Sequence, residues 1–321
     1  MSFGCKYTPP HPPTFADFHR TGPGMLEDEK KLNAQVEVFE EAKFLPQEIE
    51  HIRAKGDARE LVGAALHADV GNQSIPGLLR DAWLRGSNDV VVFAGIAESL
   101  VRDVGNQVKV ADVAPELPQV LAELERLEPD NGLPLCLRAY VQLKQGDTNA
   151  AGRSVKAAMQ KTALNLHGSE LRHCVLQTAL ALKYPRYTAS MLAVGTLSLS
   201  TQIAIVGRGL LTNPELDRTT AEACLELGRR HEASAKLFID QLIAFSLEKR
   251  ALEFLKPPDL EQQLLRMKEA REKIKQAVTL LDSPKAHALT ERVWLAYFDT
   301  LFEKSEAEAV EELTRNLNDK L

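Results

Sequence analysis

The eight histidines of this 321-residue chain are the side chains that could most readily bind a metal or act as a base. His167 and His173 are six residues apart, which places them on different faces of a helix. His173 and Cys174 are neighbours, and adjacent helical side chains diverge by about 100°. His231-Glu232 supplies only half of the helical zinc motif. We therefore expect no metal site, and for each histidine a surface position or a hydrogen-bonded place at a helix end.

The four cysteines are spread along the chain without the CxxC or CxxH spacing of a zinc site. Cys136, Cys174 and Cys224 lie within apolar helical patterns, where a free thiol behaves as a small buried hydrophobic group. We expect these three in the core and a reducing, cytoplasmic compartment. Cys5 leaves open a periplasmic or envelope-anchored alternative, in which a different true N-terminus would precede it with a lipoprotein signal.

Common catalytic and nucleotide-binding motifs are missing from the sequence: it has no HExxH, no GxxxxGK[ST], no GxSxG, and no GxGxxG after a strand. Paired carboxylates such as Glu311-Glu312 lie on polar faces, away from the apolar surroundings that raise a carboxyl pKa. We therefore predict a non-catalytic protein without a cofactor. An all-α enzyme is the alternative, because such enzymes gather active-site residues from distant helices. A deep pocket with convergent polar residues near segment 188–207 would favour it.

The charge balance argues against nucleic acid as a partner. Lys and Arg total 39 and Asp and Glu total 45, which gives a formal net charge of −6. Proteins that bind nucleic acid neutralise phosphates with a surplus of basic residues. Aromatic residues make up only 6% of the chain, so surfaces for stacking bases are also scarce.

The segment from Thr188 to Gly207 carries no charge and is long enough to span a bilayer. After Thr188 itself, six further hydroxyl and amide side chains dilute its apolar character. We therefore predict a buried helix or helix pair there, and no membrane association.

Helical periodicity runs through almost the whole chain from Met25 onward. Gly56-Asp57 predicts a helix end followed by an N-cap, and similar breaks punctuate the later segments. Val90 to Phe93 looks like a strand, but it would have no strand partner, so we predict helix. The prediction is an all-α protein: a Pro-rich extended leader over 1–24, then a single body of antiparallel helical hairpins over 25–321.

Two internal similarities suggest repeats. The pentapeptide at 69–73 recurs at 103–107, an offset of 34 residues. The second similarity lies in 127–161, where Gly146-Asp147 is predicted to turn between two helices. Small side chains on each helix would allow close approach, and the predicted packing positions are Leu135, Ala139, Ala151, Val155 and Ala158.

The stretch 127–161 resembles a tetratricopeptide repeat, with Pro129-Asp130-Asn131 matching the linker between repeats. Arg138 and Gln142 depart from the family, which has Leu and Tyr there, and Ala163 stands in place of the closing Pro. The resemblance implies hairpins stacked as a superhelix, with a concave groove that holds a peptide or a partner helix.

The function predicted from this resemblance is a non-catalytic protein–protein interaction or scaffold module. Arg138, Gln142 and Gln145 lie on the first helix of the hairpin or at its end, and are the predicted groove residues. The alternatives are the all-α enzyme with a pocket between helices, and an envelope-associated accessory protein tethered through Cys5 or segment 188–207.

Overall fold

A computed structural model describes residues 43–68, 74–106, 116–196 and 199–318, and for residues 103–106 and 318 it describes the backbone alone. These residues form sixteen helices and no strand. The predicted all-α fold is therefore confirmed for the described ranges. The predicted leader 1–24 and the first pentapeptide copy at 69–73 lie outside them, so both stay predictions.

The helices follow one another through short connections. In chain order they are α1 (Pro46–Lys55), α2 (Ala58–His67), α3 (Ile75–Arg85), α4 (Val90–Asn106), α5 (Leu117–Leu127), α6 (Leu133–Lys144), α7 (Thr148–Met159), α8 (Gly168–Ala181), α9 (Arg186–Val194), α10 (Ser200–Leu211), α11 (Arg218–Ser234), α12 (Phe238–Leu255), α13 (Leu260–Leu281), α14 (Pro284–His287), α15 (Glu291–Glu303) and α16 (Glu306–Asn318).

Aspartate N-caps start several of these helices. The Asp57 carboxylate accepts the Glu60 N–H at 2.9 Å, and the Glu60 carboxylate accepts the Asp57 N–H at 2.9 Å. This reciprocal pair satisfies two N–H groups that a helix start leaves without partners. Asp147 and Asp217 cap α7 and α11 through their side chains. The predicted helix end and N-cap at Gly56-Asp57 are confirmed.

Packing joins consecutive helices and also helices far apart in sequence. The pairs α2–α3, α6–α7, α8–α9, α11–α12 and α15–α16 pack as neighbours in the chain. In addition α2 packs against α8, α6 packs against α10, α7 packs against both α10 and α11, and α9 packs against α15. The fold therefore brings residues from distant parts of the chain into common sites.

The contact between α2 and α8 is close because it contains a glycine. A Cβ atom on Gly63 would lie 2.4 Å from the carbonyl oxygen of Cys174 and 2.2 Å from Oγ1 of Thr178. That hydroxyl lies 2.9 Å from the Glu60 carbonyl oxygen and 2.8 Å from that of Cys174. Only a residue without a side chain allows the two backbones to approach this closely.

The two ambiguous segments of the sequence are helical, as predicted. Val90 to Phe93 forms the first turn of α4. The uncharged segment 188–207 falls within the helix pair α9 and α10, with residues 197–198 outside the described ranges. Among the described helices, none combines the length and the apolar character needed to cross a membrane.

Three of the cysteines lie in the core. Cys136, Cys174 and Cys224 are buried free thiols, as predicted. Burial raises the pKa of each thiol to about 12. At neutral pH they are therefore protonated and act as small packing groups.

Candidate ligand-binding site

The α6–α7 hairpin has the turn that its sequence predicts. Gly146 takes the left-handed backbone conformation with φ of 81°, and the Asp147 carboxylate caps α7 by accepting the Ala150 N–H at 2.8 Å. All five predicted packing residues are buried: Leu135, Ala139, Ala151, Val155 and Ala158. The small side chains at the interface let the two helices lie close together.

The predicted groove residues have different surroundings. Arg138 is partly exposed and pairs with Glu125 of α5, at 3.4 Å between Nη2 and Oε2. Gln142 accepts a hydrogen bond from the Ser154 hydroxyl of α7 at 2.8 Å. Gln145 follows the last residue of α6 and is exposed. Two of the three side chains therefore already contact neighbouring helices.

A polar cavity of about 120 Å³ lies where α8, α10, α11 and α12 meet. Its walls include Arg172, Ser200, His231 and Asp240, together with residues 165–170 around the start of α8 and residues 234–236 around the end of α11. A cavity of this size has room for several water-sized groups. Polar groups from four helices thus converge on one cavity.

The loop before α8 forms one rim of this cavity. His167 has a left-handed backbone with φ of 53°, and its Nε2 lies 3.0 Å from the Glu128 carboxylate. Asn165 donates its N–H to the Asn131 side chain at 3.0 Å, and the Asn131 amide donates to the Asn165 carbonyl at 2.9 Å. These bonds fix the loop to the linker between α5 and α6.

The connection between α11 and α12 forms another part of the rim. The Lys236 carbonyl accepts the Glu306 N–H at 2.8 Å, and the Glu306 carboxylate accepts the Phe238 N–H at 2.7 Å. Glu306 is the first residue of α16. The C-terminal helix therefore holds this rim in place without lining the cavity.

Ser200, His231 and Asp240 form a hydrogen-bonded row in the wall. The Ser200 hydroxyl donates to Asp240 at 2.6 Å, and Nε2 of His231 lies 3.0 Å from the same hydroxyl oxygen. Because a hydroxyl has one proton, His231 must donate through Nε2. Burial lowers the pKa of His231, which keeps the ring neutral.

The order of this row decides its chemistry. In a Ser-His-Asp hydrolase the histidine accepts the serine proton, and an aspartate orients the histidine. Here the serine hydroxyl faces the aspartate, and Nδ1 of His231 has no hydrogen-bond partner among the described residues. In this arrangement the row positions hydrogen-bonding groups and does not activate Ser200 as a nucleophile.

Arg172 is the cation of the cavity. The residue is only 3% exposed, and its Nε and Nη1 have no hydrogen-bond partner in the described part of the chain. It forms no ion pair with any described carboxylate. Burial lowers the pKa of Arg172, but a guanidinium stays charged in proteins. A buried charge without a direct partner is energetically costly.

Carboxyl groups surround Arg172 at longer range. They come from Glu98 of α4, Glu170 and Asp240 on the cavity wall, and Glu306 of α16. Burial raises the pKa of Glu98 and of Glu306 to about 7. These two groups are therefore partly protonated at neutral pH, which limits the negative charge around the cavity.

The described residues contain no group of three or more His, Cys, Asp and Glu side chains placed to hold a metal ion. Comparison of the chain with known protein families, curated proteins and solved structures gives no significant match. The arguments for function therefore depend on the geometry of the cavity.

In the sequence, His231 stands out only as half of a zinc motif, which by itself predicts no site, and none of the side chains around it is singled out. The histidine lies in the last turn of α11 and His167 caps α8, so both occupy helix ends as predicted, and both are buried. Arg172, Ser200 and Asp240 come from three further helices, and no short motif connects them. The one signal was the uncharged segment 188–207, which contains Ser200.

Proposed function

We propose that this protein binds a small polar molecule in the cavity between α8, α10, α11 and α12. One observation carries the proposal: the buried Arg172 guanidinium lines the cavity and lacks a direct ionic partner among the described residues. Ser200, His231 and Asp240 line the same space. The enzyme alternative in the sequence analysis predicts a pocket with convergent polar residues near segment 188–207, whereas the scaffold prediction requires no such pocket. This cavity therefore favours a site for a small molecule.

The energetic argument is that native proteins rarely bury a charge without pairing it. A bound molecule that presents acceptor oxygens to the guanidinium would offset the cost of burial. Binding sites commonly combine an enclosed space with a few polar groups and perturbed pKa values. The proposal covers binding and assigns no catalytic step, because Ser200 donates to Asp240.

The test is to purify the full chain under native conditions and identify any retained small molecule by mass spectrometry. A library of polar metabolites, screened by thermal shift, is the parallel measurement. Arg172→Met should lose the retained molecule or the thermal shift. Arg138→Met, which removes an arginine outside the cavity, should keep both. If the native chain retains nothing and no library compound raises its melting temperature, the proposal is wrong.

The second candidate function is the protein–protein interaction module, in which hairpins stack as a superhelix and a concave groove holds a peptide or partner helix. The α6–α7 hairpin supports it, because its turn and buried small residues are those of the tetratricopeptide-like pattern. A photo-crosslinking residue at position 145 should then capture a protein partner. The same residue at the exposed position 160, at the end of α7, should capture none.

The location that we propose is the cytoplasm, supported by the three buried free thiols. Tethering to the envelope through Cys5 is the alternative. Fractionation of the full-length product separates the two, because a lipid-anchored chain would sediment with membranes and a Cys5→Ser variant would not.

A further inference from the structure

We infer that the cavity takes a small zwitterion, of the kind that a free α-amino acid provides. Its carboxylate would face Arg172 and its ammonium group would face Asp240. This inference rests on the proposed function, since it assigns a chemical class to the ligand of the same cavity.

The first step is the placement of opposite charges. Arg172 is 3% exposed and Asp240 is 6% exposed, and both line the same cavity. Arg172 forms no ion pair with Asp240 or with any other described carboxylate. Arg172 belongs to α8 and Asp240 to α12, so two helices bring a positive and a negative charge to the lining of one cavity. A ligand with two opposite charges would match this lining.

The second step is the exclusion of ligands with a single charge. An anion that approached Arg172 would also lie near Asp240, Glu170 and the ionised fractions of Glu98 and Glu306. A cation that approached Asp240 would lie near Arg172. A zwitterion turns each of its charges toward the opposite charge of the wall, so both interactions are favourable.

The third step is the neutral part of the wall. Nε2 of His231 and the Ser200 hydroxyl are already bonded to each other at 3.0 Å, and Ser200 donates to Asp240. This row holds the Asp240 carboxylate in position. The volume of about 120 Å³ favours an amino acid with a short side chain, such as glycine, alanine or serine.

The test is calorimetric titration of the full chain at pH 7 with L-alanine and two matched analogues. Propionate is alanine without its ammonium group, and ethylamine is alanine without its carboxylate. Each analogue lacks one charge-assisted interaction, so we expect it to bind about 10- to 100-fold more weakly than alanine. Glycine and serine should bind within about tenfold of alanine, since they keep both charges.

Variants identify which wall group recognises which charge. Arg172→Met should weaken alanine binding by about 10- to 100-fold and leave the weak affinity for ethylamine unchanged. Asp240→Asn should weaken alanine binding similarly and leave propionate unchanged or improved. Arg138→Met is the matched control and should bind alanine normally. If Arg172→Met does not fold, Arg172→Lys keeps the charge and should keep the preference for alanine over ethylamine.

The outcomes separate this inference from the proposed function. Equal binding of propionate and alanine, or of ethylamine and alanine, would overturn the zwitterion and leave a polar ligand site. The same holds if no amino acid binds while another molecule co-purifies in an Arg172-dependent way. If no small molecule binds by either method, both the inference and the proposed function are wrong.

Discussion

The α6–α7 hairpin buries small apolar side chains between two consecutive helices, whereas the cavity gathers charged and hydroxyl side chains from four helices. In the hairpin each buried methyl group adds to packing, so most changes should reduce stability. In the cavity Arg172 is buried without a direct ionic partner, so its removal need not reduce stability. The comparison teaches that substitution in the hairpin should lower the free energy of unfolding, whereas removal of Arg172 from the cavity should not.

The largest expected effect lies in the hairpin. Ala139→Glu places a carboxylate at a fully buried position between α6 and its neighbours, where no space or partner exists for it. We expect a loss of about 4 kcal/mol or more in the free energy of unfolding, measured by urea denaturation. Ala157→Glu, at an exposed position of α7, is the control and should change stability by less than about 0.5 kcal/mol. Equal effects would mean that the hairpin register is wrong.

The next effect concerns a carboxyl group near Arg172. Burial raises the pKa of Glu98 in the folded protein from 4.5 to about 7, although Arg102 and Arg172 lower it; Asp240 raises it further. A raised carboxyl pKa stabilises the fold fully below about pH 4.5, and this stabilisation is lost as the pH rises through about 7. Glu98→Gln removes this titration. Its stability relative to the native chain should therefore rise by about 3 kcal/mol between pH 4 and pH 8.

Urea denaturation of the native chain and of Glu98→Gln at each pH gives the contribution of the Glu98 carboxyl to the free energy of unfolding, because all other groups titrate in both proteins. Glu215→Gln removes a carboxyl from an exposed position and controls for the change in net charge. If the difference in the free energy of unfolding between Glu98→Gln and the native chain does not change with pH, burial does not raise the pKa of Glu98.

A smaller effect concerns the support of α8, the helix that carries Arg172. In Gly63→Ala the new methyl group would lie 2.4 Å from the Cys174 carbonyl oxygen, which belongs to the backbone and cannot turn aside. We expect a loss of about 2 kcal/mol, measured as a shift in the urea midpoint. Gly152→Ala in α7 meets its nearest atoms, on Thr220, at 3.6 Å. That control should be neutral or stabilising by about 0.5 to 1 kcal/mol.

The smallest effect is the most direct test of the comparison. Arg172→Met replaces a buried charge by an apolar side chain of similar length. We expect the free energy of unfolding to stay unchanged or to rise by about 1 kcal/mol. Thermal and urea unfolding without ligand are the measurements. A loss of more than about 2 kcal/mol would show that Arg172 has a structural role and would contradict the contrast with the hairpin.

The hairpin and the cavity also differ in how well the sequence alone predicts them. The hairpin is predictable because Gly146, Asp147 and the small residues act over neighbouring turns of the chain. Helical periodicity likewise predicts the all-α fold, including the first turn of α4 at Val90. The cavity is not predictable, because Arg172 and Asp240 have no spacing in common. Their proximity depends on packing between helices that are distant in sequence.

The bonds of Glu306 have a consequence for synthesis of the protein. Among the described residues, every side chain that lines the cavity precedes residue 241, yet Lys236 and Phe238 at its rim are held by Glu306, the first residue of α16. During synthesis the chain therefore contains these lining residues before it contains Glu306, whose hydrogen bonds hold the rim in place. Chains that stop before α16 would contain the lining residues but would lack the Glu306 bonds that fix the rim, so we expect ligand binding only after α16 has been synthesised.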